Sequence, residues 1–275
     1  MPNVIGFIKW YLHYAKRVLR MRGMRLVDKL LLLLHLITAL FDKNYFVKHA
    51  IYVKIRDTWF RLIDLESIGI LDPEFEWWMW KYLRLKESDV FVDVGAHIGK
   101  YSLPAARIVG DYGIVIAIEP SPDTFRALLD GIRRNGLTNI IALNVAAWDR
   151  DAVLKLFIKE ARGQSTVLDN VGNIRTVKIE NVLARRLDDI VKGLNLEKVN
   201  YVKIDVEGAE VNVLKGFMEG LIKYKPKVVI EIKRFNLDTV LSLFSSLKYS
   251  CSSIPEDVSS EYYYCESIEQ IKTYT

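Results

Sequence analysis

The sequence predicts an α/β fold built on a mostly parallel sheet. From residue 89 onward, short apolar segments alternate with helical patterns, as they do in parallel sheets with crossover helices. In "VFVDVGAHIGKYS" (90–102) a glycine-containing turn joins a strand directly to a helix. The apolar runs "YVKIDV" (201–206) and "KVVIEIK" (227–233) have the length of buried strands.

The first 45 residues differ from the rest and are predicted to form a helical extension of a main domain at residues 46–275. Apolar residues recur at helical spacing in residues 4–18, with most of the bases between them, as in a basic amphipathic helix. The apolar run "LLLLLHLITALF" (30–41) would span about 18 Å as a helix, against roughly 30 Å of bilayer hydrocarbon. It is therefore too short to cross a membrane. Its late start, with no A-x-A site after it, argues against a signal peptide.

Positive charge is concentrated in this extension. The whole chain has a net charge of +5, whereas residues 1–34 carry +6 and the remaining 241 residues carry −1. The bases of this segment are Lys9, Lys16, Arg17, Arg20, Arg22, Arg25 and Lys29. Two interpretations stay open: the helices pack on the main domain as a lid or oligomer contact, or residues 1–41 make a peripheral contact with an anionic membrane. Since nucleic-acid enzymes spread positive charge over the active face, the distribution argues against a nucleic-acid substrate.

Residues 46–88 are predicted to lead into the core as a hairpin followed by a helix. "FVKHAIYVKIRDTWFRLI" (46–63) has the pattern of two short strands. "DPEFEWWMWKYLRL" (72–85) is predicted to be a helix, with Asp72 as its N-cap and Pro73 at its first position. We interpret its three tryptophans as packing against the sheet rather than stacking on a ligand.

The sheet and its helices follow in alternation along the main domain. Strands are predicted at 90–94, 114–118, 139–147, 199–206 and 227–232. Helices are predicted near 100–109 and at 122–136, 209–222 and 236–247. Between 148 and 198 the alternation breaks, and two strands joined by a polar loop predict an inserted hairpin rather than a second domain. The tail at 248–275 is strand-like and would supply closing antiparallel strands.

The two cysteines, Cys251 and Cys265, lie far apart and form no CxxC motif. This spacing predicts two half-buried free thiols rather than a disulfide or a zinc site. Free thiols are typical of a reducing compartment, so we expect a cytoplasmic protein, with association at a membrane as an open alternative.

The glycine turn after the first core strand has the features of a ligand-binding loop. Gly95 and Gly99 would let the backbone approach a ligand, next to the free N–H groups of a helix N-terminus. The turn has no GKS or GKT, so it is not a Walker loop. Its G-x-x-x-G spacing differs from the dinucleotide G-x-G-x-x-G, which disfavours a nicotinamide oxidoreductase. Asp93 in this turn would repel a pyrophosphate but suits a ligand with an ammonium group.

The next two strand ends predict a nucleoside ligand. Glu119 ends a strand 24 residues after Gly95, where a carboxylate can accept hydrogen bonds from both ribose hydroxyls. The loop that begins with Pro120 and Ser121 would lie near an adenine. The following strand ends in two small residues, Ala146 and Ala147, against which a flat base can lie. These features on consecutive strands predict an adenosine-containing ligand.

The same residues carry a resemblance to a known family. Asp-x-Gly at 93–95, Glu119 and an acid at the fourth strand end resemble the class I S-adenosylmethionine-dependent methyltransferases. More closely, "FVDVGAHIGKYS", "IAIEPSPDTFRALLDGIRRNGLTNI", "ARRLDDIV" and "YVKIDVEGAEVNVLKG" resemble the FkbM family over roughly residues 74–247. Its members are generally O-methyltransferases that act on hydroxyls of sugars and natural products. The resemblance implies a class I Rossmann-like sheet, mostly parallel with a closing antiparallel strand, and S-adenosyl-L-methionine as cofactor.

The resemblance also implies residue roles. Gly95 and Ala96 would pass under the methionine moiety, with Asp93 orienting that loop or its ammonium group, and Asp205 would lie beside the sulfonium. The cofactor-binding residues implied in this way are Asp93, Gly95, Ala96, His97, Gly99, Glu119, Pro120, Ser121, Ala146, Ala147 and Asp205.

Two positions depart from the family pattern. His97 stands where the family often has Asn, and it would either cap the helix or donate a hydrogen bond to the cofactor, of which we expect the cap. Pro104 falls early in the predicted helix, which would then start near residue 103 or be kinked there.

A group of carboxylates is predicted at the methyl-transfer side. Asp205 and Glu207 follow one strand and Glu231 ends the next, so all three are predicted as catalytic. They would act as a general base or grip substrate hydroxyls; a divalent cation is an open alternative to which no ligand set is assigned. In a purely structural interpretation, Lys203 pairs with Glu231, and Glu210 helps to start the next helix.

These observations together predict an S-adenosylmethionine-dependent O-methyltransferase. The acceptor would be a hydroxyl of a glycan, a glycolipid, a lipid-linked compound or a small metabolite. Nucleic acid is not expected, because the fourth strand end carries Asp-Val-Glu-Gly rather than the Asn/Asp-Pro-Pro-aromatic motif of amino-methylating enzymes. The alternative is a non-catalytic nucleoside-binding scaffold at a membrane surface. The sequence predicts neither the acceptor nor the oligomeric state.

Overall fold

The computed structural model describes residues 4–39, 42, 45–169, 173–257 and 261–271. Its strands are β1 (Ile51–Ile55), β2 (Thr58–Leu62), β3 (Val90–Val94), β4 (Ile114–Ile118), β5 (Ile140–Leu143), β6 (Ala146–Trp148), β7 (Ala152–Lys159), β8 (Thr176–Arg186), β9 (Tyr201–Ile204), β10 (Lys227–Glu231), β11 (Tyr249–Ser253) and β12 (Tyr262–Ser267). Parts of the predicted extension (1–3, 40–41 and 43–44), insert (170–172) and tail (258–260 and 272–275) lie outside the described residues.

Helices precede, connect and follow these strands. They are α1 (Val4–Arg20), α2 (Leu26–Ala39), α3 (Tyr45–Lys48), α4 (Glu66–Ile70), α5 (Met79–Tyr82), α6 (Ser102–Val109), α7 (Pro122–Arg134), α8 (Leu187–Gly193), α9 (Glu210–Lys215), α10 (Met218–Tyr224), α11 (Leu237–Ser246) and α12 (Ile268–Ile271), with 3₁₀ turns at Arg162–Gln164 and Arg234–Asn236. Within the described residues, none of these helices is both long and apolar enough to pass through a bilayer.

The central sheet has seven strands in the order β11-β12-β10-β9-β3-β4-β5. The five strands from β10 to β5 run parallel, and β12 and β11 close the sheet in antiparallel orientation. Strand β3 lies in the middle of the parallel part, and all five of its residues are buried. Apolar clusters cover both of its faces, which is why its sequence is apolar almost throughout. The predicted parallel sheet with an antiparallel closure is therefore confirmed.

The third predicted strand, 139–147, is divided in the structure. Strand β5 stays in the central sheet, whereas β6 leaves it and pairs with β8 in a three-stranded sheet with β7. The division falls at Asn144, whose Nδ2 donates to the carbonyl oxygens of Glu119 (2.8 Å) and Pro120 (3.0 Å). The predicted insert strands are β7 and β8, and the 3₁₀ turn at Arg162–Gln164 lies in their connection.

Two predicted helices differ from the structure. Only Met79–Tyr82 of the predicted helix 72–85 is helical, because Glu76 adopts a left-handed conformation (φ 53°) that an α-helix cannot contain. Asp72 caps a local turn instead, accepting from the Glu74 N–H at 3.1 Å. The predicted helix 209–222 is interrupted at Gly216, where a Cβ would lie 2.0 Å from the Trp148 carbonyl oxygen.

The packing role expected for three tryptophans holds for Trp78 and for the partly buried Trp80, but Trp77 is 53% exposed. Trp78 is buried in a core cluster, and its ring lies edge-on to that of Tyr262 with centroids 5.0 Å apart.

Pro104 is the third residue of α6, in the first turn, where the missing N–H removes no helical hydrogen bond. The helix therefore begins at Ser102, one residue before the expected start.

The N-terminal extension packs on the main domain through one face. Val18, Leu32 and Leu36 are buried in the same apolar cluster as the hairpin residues Val53 and Leu62. The packing interpretation therefore applies to this face. The opposite face of α2 is exposed.

The prediction of free thiols is wrong. Cys251 and Cys265 form a disulfide between β11 and β12, where they are direct partners in the antiparallel register. A separation of 14 residues conceals this pairing, because it becomes visible only when the two strands are aligned. The cysteines therefore give no support for a reducing compartment.

Candidate active site

A cavity of about 320 Å³ lies beyond the carboxyl ends of the parallel strands, where α/β proteins bind their ligands. Ten of the residues predicted from the sequence line it: Gly95, Ala96, His97, Glu119, Pro120, Ala146, Ala147, Asp205, Glu207 and Glu231. Three others, Asp93, Gly99 and Ser121, do not line the cavity but contact residues that do. These contacts are with Lys203, Ala96 and Glu119, respectively. The predicted residues are thus brought to one place, although their roles differ in detail from expectation.

The two glycines of the first turn meet protein rather than open space. Gly95 has a left-handed conformation (φ 79°), and a Cβ there would lie 1.8 Å from the Asp205 carbonyl oxygen. Gly99 also has a positive φ (89°), and its Cβ would meet Leu103 and Leu128 at less than 3 Å. Neighbouring segments of the same chain therefore leave no room for a side chain at either glycine. Gly95 lines the cavity, and its close approach to a ligand stays a prediction.

Asp93 supports the turn from inside the fold. Its fully buried carboxylate accepts from Ser102 Oγ at 2.5 Å and lies 3.7 Å from Lys203 Nζ. Burial raises the pKa of Asp93, and Lys203 and Ser102 oppose the rise. Of the two roles expected for Asp93, this geometry favours orientation of the loop, since the residue does not line the cavity.

Glu119 is held by two backbone amides at the end of β4. Its Oε2 accepts from the His97 N–H at 3.0 Å, and its Oε1 accepts from the Ser121 N–H at 2.8 Å. Each oxygen keeps a further lone pair for a ligand in the cavity. Burial raises the pKa of Glu119 to about 7, against the two amide hydrogen bonds. Ser121 therefore contributes through its backbone.

His97 caps no helix, so the expected capping role is wrong. Helix α6 begins five residues later, with Tyr101 before it and no side-chain cap. Both ring nitrogens of His97 are buried and have no hydrogen-bond partner among the described residues, while the residue lines the cavity. Burial lowers the pKa of His97, so the ring is neutral at neutral pH. A buried neutral imidazole with unpaired nitrogens is suited to a hydrogen bond with a bound ligand.

Ala146 and Ala147 are buried in strand β6 and line the cavity beside Pro120. The sequence had predicted them at the end of the strand that contains β5. In the structure they belong to the three-stranded sheet instead. Their small side chains still leave room for a flat group at this wall.

Asp205 is paired with a buried lysine. Lys203 Nζ lies 3.1 Å from Asp205 Oδ2, and Tyr262 OH donates to the same oxygen at 3.2 Å. The expected alternative pairing of Lys203 with Glu231 is wrong, because Lys203 lies between Asp93 and Asp205. Burial disfavours ionisation of Asp205, but Lys203 outweighs it and keeps the pKa of Asp205 below its ordinary value. Asp205 is therefore a stable anion at neutral pH.

Glu207 and Glu231 share one ammonium group. Lys233 Nζ lies 3.0 Å from Glu207 Oε2, 3.1 Å from Glu231 Oε2 and 3.0 Å from Glu261 Oε2. Burial, followed by the charge of Asp205, raises the pKa of Glu207 to about 7. Burial together with the charges of Asp205 and Glu207 raises the pKa of Glu231 to about 10. Three neighbouring carboxylates thus have three different protonation behaviours near neutral pH.

The structure brings three carboxylates close enough together to hold a divalent cation. Oxygens of Asp205, Glu207 and Glu231 all lie within 4.8 Å of one another. Lys233 already supplies a positive charge to two of the three carboxylates. These residues therefore do not need a metal ion to balance their charge.

The turn that carries Glu207 has an unusual backbone. Glu207 has a φ of 51° and is followed by Gly208 at 107°, and the Glu207 carbonyl oxygen accepts from Thr166 Oγ1 at 2.8 Å. Left-handed conformations of residues other than glycine are uncommon and occur often at functional sites. Glu210, as expected, begins α9 and accepts from the Gly208 N–H at 2.7 Å.

A second polar group, which the sequence did not predict, lines the cavity. Glu76 accepts from Lys100 Nζ (2.8 Å), from Tyr262 OH (3.1 Å) and from Tyr101 OH. Burial lowers the pKa of Lys100 to about 8 against the opposing charge of Glu76. No short-range motif links these residues, because Glu76 precedes the sheet and Tyr262 lies in its last strand.

The connection between β7 and β8 forms another wall that was predicted only as a polar loop. Gly163 donates its N–H to Glu66 Oε2 at 2.9 Å, and Arg162 pairs with Asp123 at 3.3 Å. All residues from 162 to 167 line the cavity. The insert therefore completes the site together with α4.

The strand order, the glycine turn after β3 and the acid at the end of β4 define a class I methyltransferase. The chain belongs to the FkbM methyltransferase family, because the family model described as "Methyltransferase FkbM domain" matches residues 93–251, more than half of the chain. The crystal structure of the FkbM methyltransferase from Methylobacillus flagellatus covers 96% of this chain and 59% of its own, at 18% identity and a TM-score of 0.51. The predicted family and fold class are thereby confirmed, and family membership supports S-adenosyl-L-methionine as cofactor.

Two curated relatives are named as methyltransferases. Methyltransferase 1 of Beauveria bassiana is 28% identical over 163 residues, which cover 53% of this chain and 65% of the relative. Hexuronic acid methyltransferase AglP of Haloferax volcanii is 31% identical over 147 residues, covering 54% of this chain and 57% of the relative. The match thus covers about three fifths of the length of each of these two relatives.

Proposed function

We propose that this chain transfers a methyl group from S-adenosyl-L-methionine to a hydroxyl of a glycan, a glycolipid or a small metabolite. The observation that carries the proposal is a single cavity with Glu119 on one side of the β3 turn and Asp205, Glu207 and Glu231 on the other. The first side suits a ribose and the second a reacting hydroxyl.

The order of the strands gives the cofactor its direction. Because β3 lies between β4 and β9, the turn at Gly95 separates Glu119 from Asp205. We place the adenosine beside Glu119 and Ala147, and the methionine moiety over the turn. The sulfonium then lies toward Asp205, whose anionic carboxylate favours a positive charge nearby. The unpaired ring of His97 lies in the wall between these two ends.

The three carboxylates differ enough in pKa to have different roles in the reaction. When bound, S-adenosyl-L-methionine supplies a methyl group on a positively charged sulfur. Glu207 accepts the proton of the acceptor hydroxyl as the oxygen–carbon bond forms and the sulfur–carbon bond breaks, since its pKa of about 7 suits a general base at neutral pH. Glu231, protonated at that pH, can donate a hydrogen bond to an acceptor oxygen, and Lys233 fixes both side chains.

Polar groups around this end favour a hydroxyl-rich acceptor. Glu76, Glu261 and Tyr262 line the cavity beside the catalytic carboxylates and offer hydrogen-bond acceptors and donors. The relative named as a hexuronic acid methyltransferase supports a sugar as one acceptor class. A polyanionic nucleic acid is disfavoured, because the walls around the reacting hydroxyl carry mostly carboxylates.

We also propose that residues 46–275 form the methyltransferase domain. Residues 46–88 lead into its core, residues 148–198 are its insert, and residues 1–45 are an extension. Contacts of Gly163 with Glu66 support one unit, since they join the insert to the leading segment.

Transfer of tritium-labelled methyl groups from the cofactor into fractionated cell extract tests the proposal. Labelled glycan, lipid or small-molecule fractions are the expected result, with loss of label in a Glu207→Gln variant. Calorimetry with S-adenosylhomocysteine tests the cofactor side, where Glu119→Ala is expected to weaken binding. The alternative, a nucleoside-binding scaffold, predicts no methyl transfer in any fraction. It also predicts that an Asp205→Asn variant binds S-adenosylhomocysteine as the wild type does.

A further inference from the structure

The N-terminal extension has a face that no described residue of the main domain covers. Helix α2 buries Leu32, Leu36 and Ala39 on one side. On the other side, six large apolar side chains are between 45% and 67% exposed: Leu26, Val27, Leu30, Leu31, Leu34 and Ile37. We call these six residues the α2 outer face.

The α2 outer face is continuous and carries no charge. At 100° per residue, its six side chains occupy one side of the helix, with Thr38 as the only polar residue among them. Contiguous exposed apolar surfaces of this kind are rare on monomeric proteins and mark sites of contact with proteins or membranes.

The neighbouring helix α1 carries positive charge. Helix α1 packs against α2, and Lys9, Lys16 and Arg20 are exposed on one side of it, with the exposed Leu12 and Leu19 alongside. Residues 1–34 carry +6, whereas the other 241 residues carry −1. Apolar side chains beside lysine and arginine are the pattern of helices that lie in the interface of an anionic bilayer.

We propose that α1 and α2 dock on an anionic lipid bilayer, with the α2 outer face inserted among the lipid chains and the α1 bases on the headgroups. A second copy of the chain fits the same face less well. A two-fold contact through α2 would bring two such basic segments together, whereas anionic lipids neutralise them.

The docking helices contact a wall of the cavity. Arg17 Nη2 of α1 donates to the carbonyl oxygen of Gly69 at 3.0 Å, and Arg17 Nε lies 3.6 Å from Asp72. Gly69 belongs to α4, which also supplies Glu66 and Ile70 to the cavity. Docking would therefore hold the cavity near the bilayer, whatever reaction the cavity carries out.

Flotation of the full chain with vesicles tests the proposal. The wild type is expected to float with vesicles of phosphatidylcholine and phosphatidylserine, and to float less with phosphatidylcholine alone or at high salt. A Leu30→Gln/Leu34→Gln variant is expected to reduce the bound fraction on the order of tenfold. A Lys16→Gln/Arg20→Gln variant is expected to lose only the part of binding that depends on phosphatidylserine.

A matched control lies elsewhere on the surface. Val153 and Leu183 face each other across β7 and β8 and are 66% and 60% exposed, so Val153→Gln/Leu183→Gln removes similar apolar area far from α2 in the sequence. This control is expected to float like the wild type, and all variants to unfold at the same temperature. A wild type that does not float, or a Leu30→Gln/Leu34→Gln variant that floats equally, overturns the proposal. So does sedimentation showing a wild-type dimer that this variant converts to a monomer.

Discussion

Gly95 and Asp205 are in direct backbone contact across the candidate site. The turn after β3 passes so close to the end of β9 that a Cβ on Gly95 would lie 1.8 Å from the Asp205 carbonyl oxygen. The Asp205 N–H also donates to the Val94 carbonyl oxygen at 3.0 Å. The loop proposed to carry the methionine moiety and the carboxylate proposed to face the sulfonium are therefore fixed relative to each other by the backbone.

Replacement of Gly95 by alanine is expected to damage both stability and binding. The new Cβ would collide with the Asp205 backbone, and the φ of 79° disfavours any residue with a side chain. We expect Gly95→Ala to lower the free energy of unfolding by about 3 kcal/mol or more, measured by urea denaturation. Gly136→Ala is the control, because Gly136 has a similar φ of 63° and no atom of the described residues lies within 4 Å of its Cβ position. It should cost only about 1 kcal/mol, and equal effects of both substitutions would contradict the contact argument.

The disulfide between Cys251 and Cys265 is expected to stabilise the closing strands. It encloses a loop of about 15 residues, for which chain entropy gives about 3 kcal/mol. Reduction with dithiothreitol should therefore lower the free energy of unfolding of the wild type by about this amount. A Cys251→Ser/Cys265→Ser variant should start lower and not respond to the reductant. Detection of two reactive thiols in the non-reduced wild type would show that the bond is absent.

Glu119 is expected to make stability depend on pH. Its folded pKa of about 7 lies above its ordinary value of 4.5, so the fold favours the protonated form. The resulting contribution to the free energy of unfolding is complete below about pH 4.5 and is lost as the pH rises through about 7. Its total is on the order of 3 kcal/mol. In Glu119→Gln, the free energy of unfolding should change less over that range than in the wild type. Equal pH profiles of the two proteins would refute this role of burial.

The residues at the strand ends could be predicted because two general rules act together. Side chains alternate along a strand, and the carboxyl ends of parallel strands meet at one edge of the sheet. Glu119, Asp205 and Glu231 follow from these rules and from the positions of their strands alone. All three line the cavity as expected.

Contacts between distant segments could not be predicted in this way. Lys203 meets Asp93 because the two are direct partners in the β3–β9 register, which the sequence does not specify. Glu76 reaches the cavity only because its left-handed backbone ends the predicted helix, and Cys251 meets Cys265 only through the β11–β12 register. Each of these features depends on a pairing of strands or a backbone conformation, and local residue patterns record neither.

Removal of the Glu207 carboxylate tests the proposed general base. Glu207→Gln keeps the shape of the side chain but cannot accept a proton, so we expect kcat to fall by roughly 10²–10⁴-fold. Binding of S-adenosylhomocysteine should change little, since the proposed cofactor contacts lie elsewhere. The wild-type rate should rise as the pH increases through about 7, where Glu207 loses its proton, and this inflection should be absent from the residual rate of the variant.

Glu261→Gln separates loss of the base from loss of charge around Lys233. Glu261 contacts the same ammonium group at 3.0 Å but is not proposed to accept the proton. Its replacement should lower kcat by much less than Glu207→Gln and should preserve the inflection near pH 7. A Glu207→Gln enzyme with an unchanged rate and inflection would exclude Glu207 as the base. Asp205 would not explain an inflection near pH 7, because Lys203 keeps the pKa of Asp205 below its ordinary value.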